Sequence, residues 1–137
     1  MGNKKDRFRH ARAMGYRSGL EVSVAKDLEA KGVPFEYEKK KIKWADFKVR
    51  TYTPDIVLSN GVIIETKGRF VAADRRKHLE IKKQYPDLDI RFVFSNPNAK
   101  LNKGSSTTYG QWCKRYGFKY HYLTIPDEWI EEETKDE

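Results

Sequence analysis

The sequence predicts an α/β fold of the α+β type, in which a mixed β-sheet is flanked by helices. Two stretches with a helical apolar period, residues 18–31 and 72–85, alternate with short apolar runs that are typical of strands. The chain has 137 residues, which is long enough for one domain with a core of its own. One mixed α and β domain is therefore expected.

The composition favours a polyanionic partner. The net charge is +8 and the sequence pI is about 9.5. Residues 1–17 hold six basic residues and one acid, whereas residues 126–137 hold seven acids and one lysine. The single cysteine excludes an intramolecular disulfide, and no apolar run is long enough for a signal peptide or a membrane span. We expect a cytoplasmic protein with no membrane partner and no small-molecule cofactor.

Residues 1–16 are predicted to form a flexible basic arm that becomes ordered on phosphates, or a simple disordered terminus. The first helix is predicted from Ser18 to about residue 31, before Gly32, with a core stripe of Leu20, Val24 and Leu28. The role of Glu21 is open at this point. It matches a capping box with Ser18, but it also leans toward the buried side, where a second metal ion would need a further carboxylate.

Residues 35–43 are predicted to be one strand. Its lysines form either a solvated face or part of a nucleic-acid track. Residues 44–52 contain neither glycine nor proline and are predicted to be an extended connector.

Two apolar runs, 56–58 and 62–64, flank Ser59-Asn60-Gly61 and predict a β-hairpin. A two-residue loop would place the carboxylates of Asp55 and Glu65 on opposite faces of the sheet. A three-residue loop with Gly61 in the left-handed conformation places Asp55 across from Glu65, with Lys67 on the same face. We predict the three-residue loop.

Two neighbouring carboxylates repel each other unless a cation lies between them, and magnesium prefers oxygen ligands. Asp55 and Glu65 are therefore candidate metal ligands, and Lys67 is a candidate for holding or deprotonating a water molecule. The alternative is that all three are strand-end residues in water and that Lys67 forms an ordinary surface ion pair.

The second half of the chain predicts further elements around the hairpin. A basic helix over 72–85 contacts phosphates or is a solvated face, and its His78 is predicted to pack in the core. The remaining predicted elements are a strand over 89–95, a loop over 96–108, a helix over 107–116, a strand over 118–123, a helical turn over 126–130 and an acidic tail over 131–137.

The segments Pro54-Asp55 and Glu65-Thr66-Lys67 resemble the PD-(D/E)xK nuclease core, in which a hairpin carries the metal carboxylates and the lysine. A wider resemblance, to the endonuclease I family of the T-odd bacteriophages, covers residues 17–130. It lies in the blocks 17–21, 31–32, 35–38, 51–55, 60–61, 65–68, 76–79, 88–91, 103–105 and 125–130.

This resemblance implies a nuclease domain over 17–130 that resolves four-way (Holliday) and other branched DNA junctions by metal-dependent hydrolysis, in the cytoplasm of the host cell. It implies a segment-exchanged homodimer with residues 44–50 as the bridge. It also implies that Glu21 of one protomer joins Asp55, Glu65 and Lys67 of the other as catalytic residues. Asp55, Glu65, Glu21 and the carbonyl of Thr66 would bind Mg²⁺, with Mn²⁺ as a substitute and two ions per site.

The candidate DNA-binding residues are basic residues of the arm and of the second helix, namely Lys4, Lys5, Arg7, Arg9, Arg12, Arg17, Arg75, Arg76 and Lys77. Two features depart from the family: the connector is shorter and lacks prolines, and the tail is acidic rather than basic. A nuclease of the same core that acts on linear DNA or RNA, and a non-catalytic basic nucleic-acid-binding module, remain alternatives.

Overall fold

The structure, a computed structural model, describes residues 19–46 and 48–134. The helices and strands of this part follow in the order α1 (Gly19–Ala30), β1 (Phe35–Tyr37), β2 (Ile42–Ala45), β3 (Val49–Tyr52), β4 (Ile56–Leu58), β5 (Ile63–Lys67), α2 (Ala72–Gln84), β6 (Ile90–Phe94), α3 (Tyr109–Tyr116), β7 (Tyr120–Tyr122) and α4 (Asp127–Glu131). The basic arm over 1–16, Ser18 and the last three residues lie outside the described residues.

The main sheet is mixed and has the strand order β1-β4-β5-β6-β7. The pairs β1–β4 and β4–β5 are antiparallel, and the pairs β5–β6 and β6–β7 are parallel. The two parallel pairs are connected through α2 and α3, as parallel strands require a crossover. The predicted α+β fold with a mixed sheet flanked by helices is confirmed.

Apolar side chains cover both faces of the sheet. On one face Val24 and Leu28 of α1, together with Trp129 of α4, pack against β4, β5 and β6. On the other face Phe92 and Phe94 of β6 meet an aromatic cluster from α3 and the β5–α2 loop. All five residues of β6 are buried, as expected for a central parallel strand. The sheet is therefore a rigid support for the residues at its edges.

The β4–β5 hairpin has the predicted three-residue loop. The amide of Leu58 donates to the carbonyl of Val62, the carbonyl of Leu58 accepts from the amide of Gly61, and Gly61 has a φ of +90°. Ile56 pairs with Ile64, so the next position outward places Asp55 across from Glu65. The side-chain amide of Asn60 donates to the carbonyl of Trp129 at 2.8 Å, which attaches α4 to the turn.

Two predictions about residues 35–52 were wrong. The single strand predicted over 35–43 is interrupted after Tyr37, because Glu38 adopts a φ of +49° and turns the chain. The extended connector predicted over 44–52 instead belongs to an antiparallel hairpin formed by β2 and β3. The role of residues 44–50 as a bridge between protomers stays a prediction.

The β2–β3 hairpin is fastened to helix α2. The side-chain amide of Gln84 donates to the carbonyl of Ala45 at 2.8 Å and accepts from its amide at 2.7 Å. The hydroxyl of Tyr85 donates to the carbonyl of Lys43 at 2.6 Å. These bonds satisfy strand-edge groups that no other strand pairs with among the described residues.

The other predicted elements are present with ends that shift by a few residues. Helix α3 begins with a capping box between Thr108 and Gln111 and ends at Gly117, which has a φ of 78°. His78 and Cys113 are fully buried, and burial raises the pKa of the Cys113 thiol to about 12. Of the helices that the structure describes, none has the length and apolar character of a membrane span.

The acidic tail predicted over 131–137 is partly tied to the domain. Both carboxylate oxygens of Glu132 accept hydrogen bonds from the guanidinium of Arg91, at 3.1 and 2.6 Å. Arg91 is only 1% exposed, and Asp89 also binds it in bidentate fashion. This ion pair brings the start of the tail to the base of β6.

Candidate active site

Asp55 and Glu65 lie across from each other at one end of the β4–β5 hairpin, and the amide of Asp55 donates to Oε1 of Glu65 at 3.2 Å. Apolar side chains on both faces bury the two strands, so the register of the hairpin fixes where these polar residues emerge. Oδ2 of Asp55 accepts hydrogen bonds from the amide and from the hydroxyl of Thr66, each at 3.0 Å. Asp55 is therefore held against β5 by the residue that follows Glu65.

Glu65 is a buried acid with two donors on one oxygen. It is 3% exposed, and its Oε1 accepts from the hydroxyl of Tyr52 at 2.6 Å and from the amide of Asp55 at 3.2 Å. Burial and, to a lesser extent, the negative charge of Asp55 raise the pKa of Glu65 to about 8, against the smaller lowering effects of the Tyr52 hydrogen bond and of the charges of Lys67 and Lys77. A cation bound beside this carboxylate would favour its ionised form.

Glu21 reaches the same region from helix α1. It is 7% exposed, on the buried side of the helix, and Oε2 accepts a hydrogen bond from the hydroxyl of Tyr37. The predicted leaning of Glu21 toward the interior is confirmed. The alternative capping partner, Ser18, lies outside the described residues.

Glu38 is a candidate site residue that the sequence analysis missed. One carboxylate oxygen of each of Glu21, Glu38 and Asp55 lies within 4.8 Å of the other two. The amide of Glu38 donates to the carbonyl of Asp55 at 3.1 Å and extends the β1–β4 pairing by one residue. The sequence signal that could have identified Glu38 is the pairing of β1 with β4, two segments that are distant in sequence.

Lys67 occupies the position after Thr66 in β5 and is partly buried. Its Nζ lies 3.5 Å from Oδ1 of Asp74 in the first turn of α2, and the two side chains are 19% and 25% exposed. Its charge also acts on Glu65, whose pKa it lowers. Lys67 therefore forms an ion pair, as the alternative interpretation expects. It also lies close enough to Glu65 for its charge to act there, as its predicted role requires.

The donor set suits a hard divalent cation. Carboxylate oxygens from Glu21, Glu38 and Asp55 converge, and Glu65 and the backbone of Thr66 lie next to Asp55. Oxygen ligands of this kind bind Mg²⁺ or Mn²⁺ better than they bind metals that favour nitrogen or sulfur. The buried acid with a raised pKa supports the same conclusion, because a bound cation would offset the repulsion between Glu65 and Asp55.

The candidate DNA-binding residues of α2 make different contacts within the chain. Arg75 donates to the carbonyl of Phe70 at 2.6 Å, and Arg76 pairs with Asp46 at 2.5 Å. Lys77 lies with Nζ 5.1 Å from the ring centre of Tyr52. Of the three, Lys77 is the one whose charge acts on Glu65. The other candidates, Lys4, Lys5, Arg7, Arg9, Arg12 and Arg17, lie outside the described residues.

Comparisons with known proteins identify similar sequences. The family named phage endonuclease I matches residues 1–137. Over 122 residues, the chain is 50% identical to "Endonuclease I" of Escherichia phage T7, which covers 88% of this chain and 82% of the relative. It is 47% identical over 122 residues to "Endodeoxyribonuclease 1" of Enterobacteria phage T3, with 88% and 80% covered.

Proposed function

The chain belongs to the phage endonuclease I family, and on this premise we propose that it is a structure-selective endodeoxyribonuclease. Its substrates would be four-way (Holliday) and other branched DNA junctions, which it would cut by divalent-metal-dependent hydrolysis of phosphodiesters. The observation that carries the proposal is the convergence of Glu21, Glu38 and Asp55 next to Glu65 and Lys67. This arrangement is what a PD-(D/E)xK nuclease core needs.

Each residue of the cluster has a proposed task. Glu21, Asp55, Glu65 and the carbonyl of Thr66 would hold Mg²⁺, or Mn²⁺ in its place, with Glu38 as an additional ligand and two ions per site. A bound cation would polarise the phosphodiester and stabilise the negative charge that develops on it. Lys67, partly buried and restrained by Asp74, would orient the attacking water or donate a hydrogen bond to the phosphate.

The positive charge of the chain would supply affinity for the DNA backbone. The chain carries a net charge of +8, and Lys77 lies close enough to the acidic cluster for its charge to act on Glu65. Contacts between lysine or arginine and phosphates depend on salt and do not read the base sequence. Selectivity for branched DNA would then come from the shape of the substrate rather than from its sequence.

We further propose a homodimer that exchanges segments through residues 44–50. In the structure Glu21 lies beside Asp55 of the same chain. After an exchange the same contact would form between protomers, so that Glu21 of one would join Asp55, Glu65 and Lys67 of the other, and two equivalent sites would cut two strands of a junction. The connection of α1 and β1 to the rest of the domain through one segment, residues 38–55, is compatible with such an exchange.

The test is cleavage of a four-way DNA junction and of a linear duplex of the same sequence, with Mg²⁺, by the wild type and by Glu65→Gln. Paired nicks near the branch that the variant loses would support junction cleavage and the role of Glu65. Equal cutting of both substrates would retain the nuclease and reject the preference for junctions. Junction binding without cutting in any divalent metal would reject catalysis.

A further inference from the structure

We infer that Tyr52 is a positioning residue for Glu65: it fixes one carboxylate oxygen and leaves the other for the cation. The inference rests on the proposed function, in which Glu65 is a metal ligand. From the sequence, Tyr52 is predicted only as the end of the extended connector over 44–52.

Both hydrogen bonds of the Glu65 carboxylate fall on the same oxygen. The hydroxyl of Tyr52 and the amide of Asp55 both donate to Oε1, at 2.6 and 3.2 Å. Among residues 19–46 and 48–134, no hydrogen bond to Oε2 is present. Two donors on the same oxygen prevent the carboxyl group from rotating, so Oε2 keeps a constant direction.

Tyr52 is itself held firmly. The side chain is 1% exposed, and its ring meets the ring of His78 edge-on, with centroids 5.2 Å apart. The ammonium of Lys77 lies over the ring, and the backbone of Tyr52 pairs with Ile42 in the β2–β3 hairpin. A buried tyrosine hydroxyl needs a partner, and here the partner is the proposed ligand.

The bond also links Glu65 to a distant part of the chain. Tyr52 is the last residue of β3, and the hairpin that contains it is attached to α2 through Gln84 and Tyr85. The two hydrogen bonds between Gln84 and Ala45 hold the hairpin on α2 even without the hydroxyl of Tyr85. Outer partners such as Tyr52 commonly tune the affinity of metal ligands, and their loss costs about 10–100-fold in metal affinity or activity.

The alternative is a purely structural role, in which Tyr52 only packs as an aromatic residue of the core. Tyr52→Phe separates the two roles, because it keeps the ring and removes only the hydroxyl oxygen. A matched control is Tyr85→Phe, which removes a hydroxyl that bonds the same hairpin through the carbonyl of Lys43 without touching Glu65. Glu65→Gln is the reference for complete loss of the ligand charge.

The experiment titrates Mn²⁺ into the full-length proteins by calorimetry and measures the Mn²⁺ concentration for half-maximal junction cleavage. For Tyr52→Phe we expect Mn²⁺ binding about 10-fold weaker than the wild type. We also expect cleavage to recover at saturating Mn²⁺, which a folding defect would not allow. Tyr85→Phe should match the wild type in both measurements.

Two results would overturn the inference, and they differ. If Tyr52→Phe binds Mn²⁺ like the wild type while Glu65→Gln binds it weakly, the positioning role fails and the proposed function stands. If Glu65→Gln itself binds Mn²⁺ and cleaves like the wild type, the proposed ligand is wrong and the inference falls with it.

Discussion

The backbone amide of Glu38 donates a hydrogen bond to the carbonyl oxygen of Asp55 at 3.1 Å. This bond places Glu38, the residue after β1, beside Asp55, the residue before β4, and the two carboxylates lie close together. The left-handed conformation of Glu38, with a φ of +49°, is unfavourable for a residue with a Cβ atom, by about 1–3 kcal/mol. Strain of this kind is often found at functional sites, which agrees with a ligand role for Glu38.

We predict that Glu38→Gln weakens Mn²⁺ binding by about 10-fold or more, because it removes one of the negative oxygens near Glu21 and Asp55. Calorimetric titration with Mn²⁺ measures the effect. Glu36→Gln is the control, since Glu36 lies two residues earlier, in β1, and is exposed. Equal affinities for the two variants would exclude Glu38 from the site.

The second prediction concerns the pH dependence of stability without metal. The pKa of Glu65 is raised from an ordinary 4.5 to about 8 by burial and by the charge of Asp55. The folded protein therefore holds this proton more tightly than the unfolded chain does. The free energy of unfolding must then fall as the pH rises from about 4.5 to about 8, by at most about 1.4 kcal/mol per pH unit.

Glu65→Gln isolates this contribution, because the amide cannot ionise. The free energy of unfolding is measured in urea with a chelator present. The value for the variant minus that for the wild type, its stability advantage, should increase between about pH 5 and about pH 8 and then level off. Added Mg²⁺ should reduce the advantage by stabilising the ionised carboxylate of the wild type. An advantage that is the same at all these pH values would show that Glu65 has an ordinary pKa.

The third prediction concerns Asp74, whose carboxylate lies 3.5 Å from the ammonium of Lys67. Asp74→Asn should lower the rate of junction cleavage by about 10-fold at saturating Mg²⁺, because Lys67 loses the charge that restrains it. Junction binding should change little. Asp87→Asn, an exposed acid beyond α2, should leave the rate unchanged. A wild-type rate for Asp74→Asn would show that Lys67 positions itself without this partner.

The fourth prediction concerns the ion pair between Glu132 and the buried Arg91. Glu132→Gln should lower the free energy of unfolding by about 1–2 kcal/mol, because Arg91 loses a charged hydrogen-bond partner. Urea unfolding measures the difference, with Glu131→Gln, an exposed neighbour, as the control. Cleavage should stay unchanged, since neither residue lies in the candidate site.

The hairpin that carries Asp55 and Glu65 could be predicted because its information is local. Ser59-Asn60-Gly61 allows a two-residue or a three-residue loop, and only the three-residue loop gathers Asp55, Glu65 and Lys67 on one face, which is the register found. The same holds for α1, since Gly32 and the apolar stripe fix its end and its buried face. Glu21 was identified as turned inward on that pattern alone.

Residues that depend on contacts between distant segments could not be predicted. No glycine at position 38 signals a positive φ, and the pairing of β1 with β4 is not encoded in either strand. The β2–β3 pairing ends at Ala45 and Val49, and the sequence over 46–48 contains neither glycine nor proline, so 44–52 looked like an extended connector. Tyr52 and Glu132 acquire their roles only from Glu65 and Arg91, which the fold brings to them.

The buried thiol of Cys113 has a practical consequence for handling the protein. With its pKa raised to about 12 and no exposed surface, it presents no thiolate to a neighbouring molecule near neutral pH. Because it is the single cysteine of the chain, any disulfide-linked dimer or alkylated product must arise from molecules that have opened. The rate at which a thiol reagent labels Cys113 therefore reports how often the core around α3 opens. No further cysteine has to be introduced for this measurement.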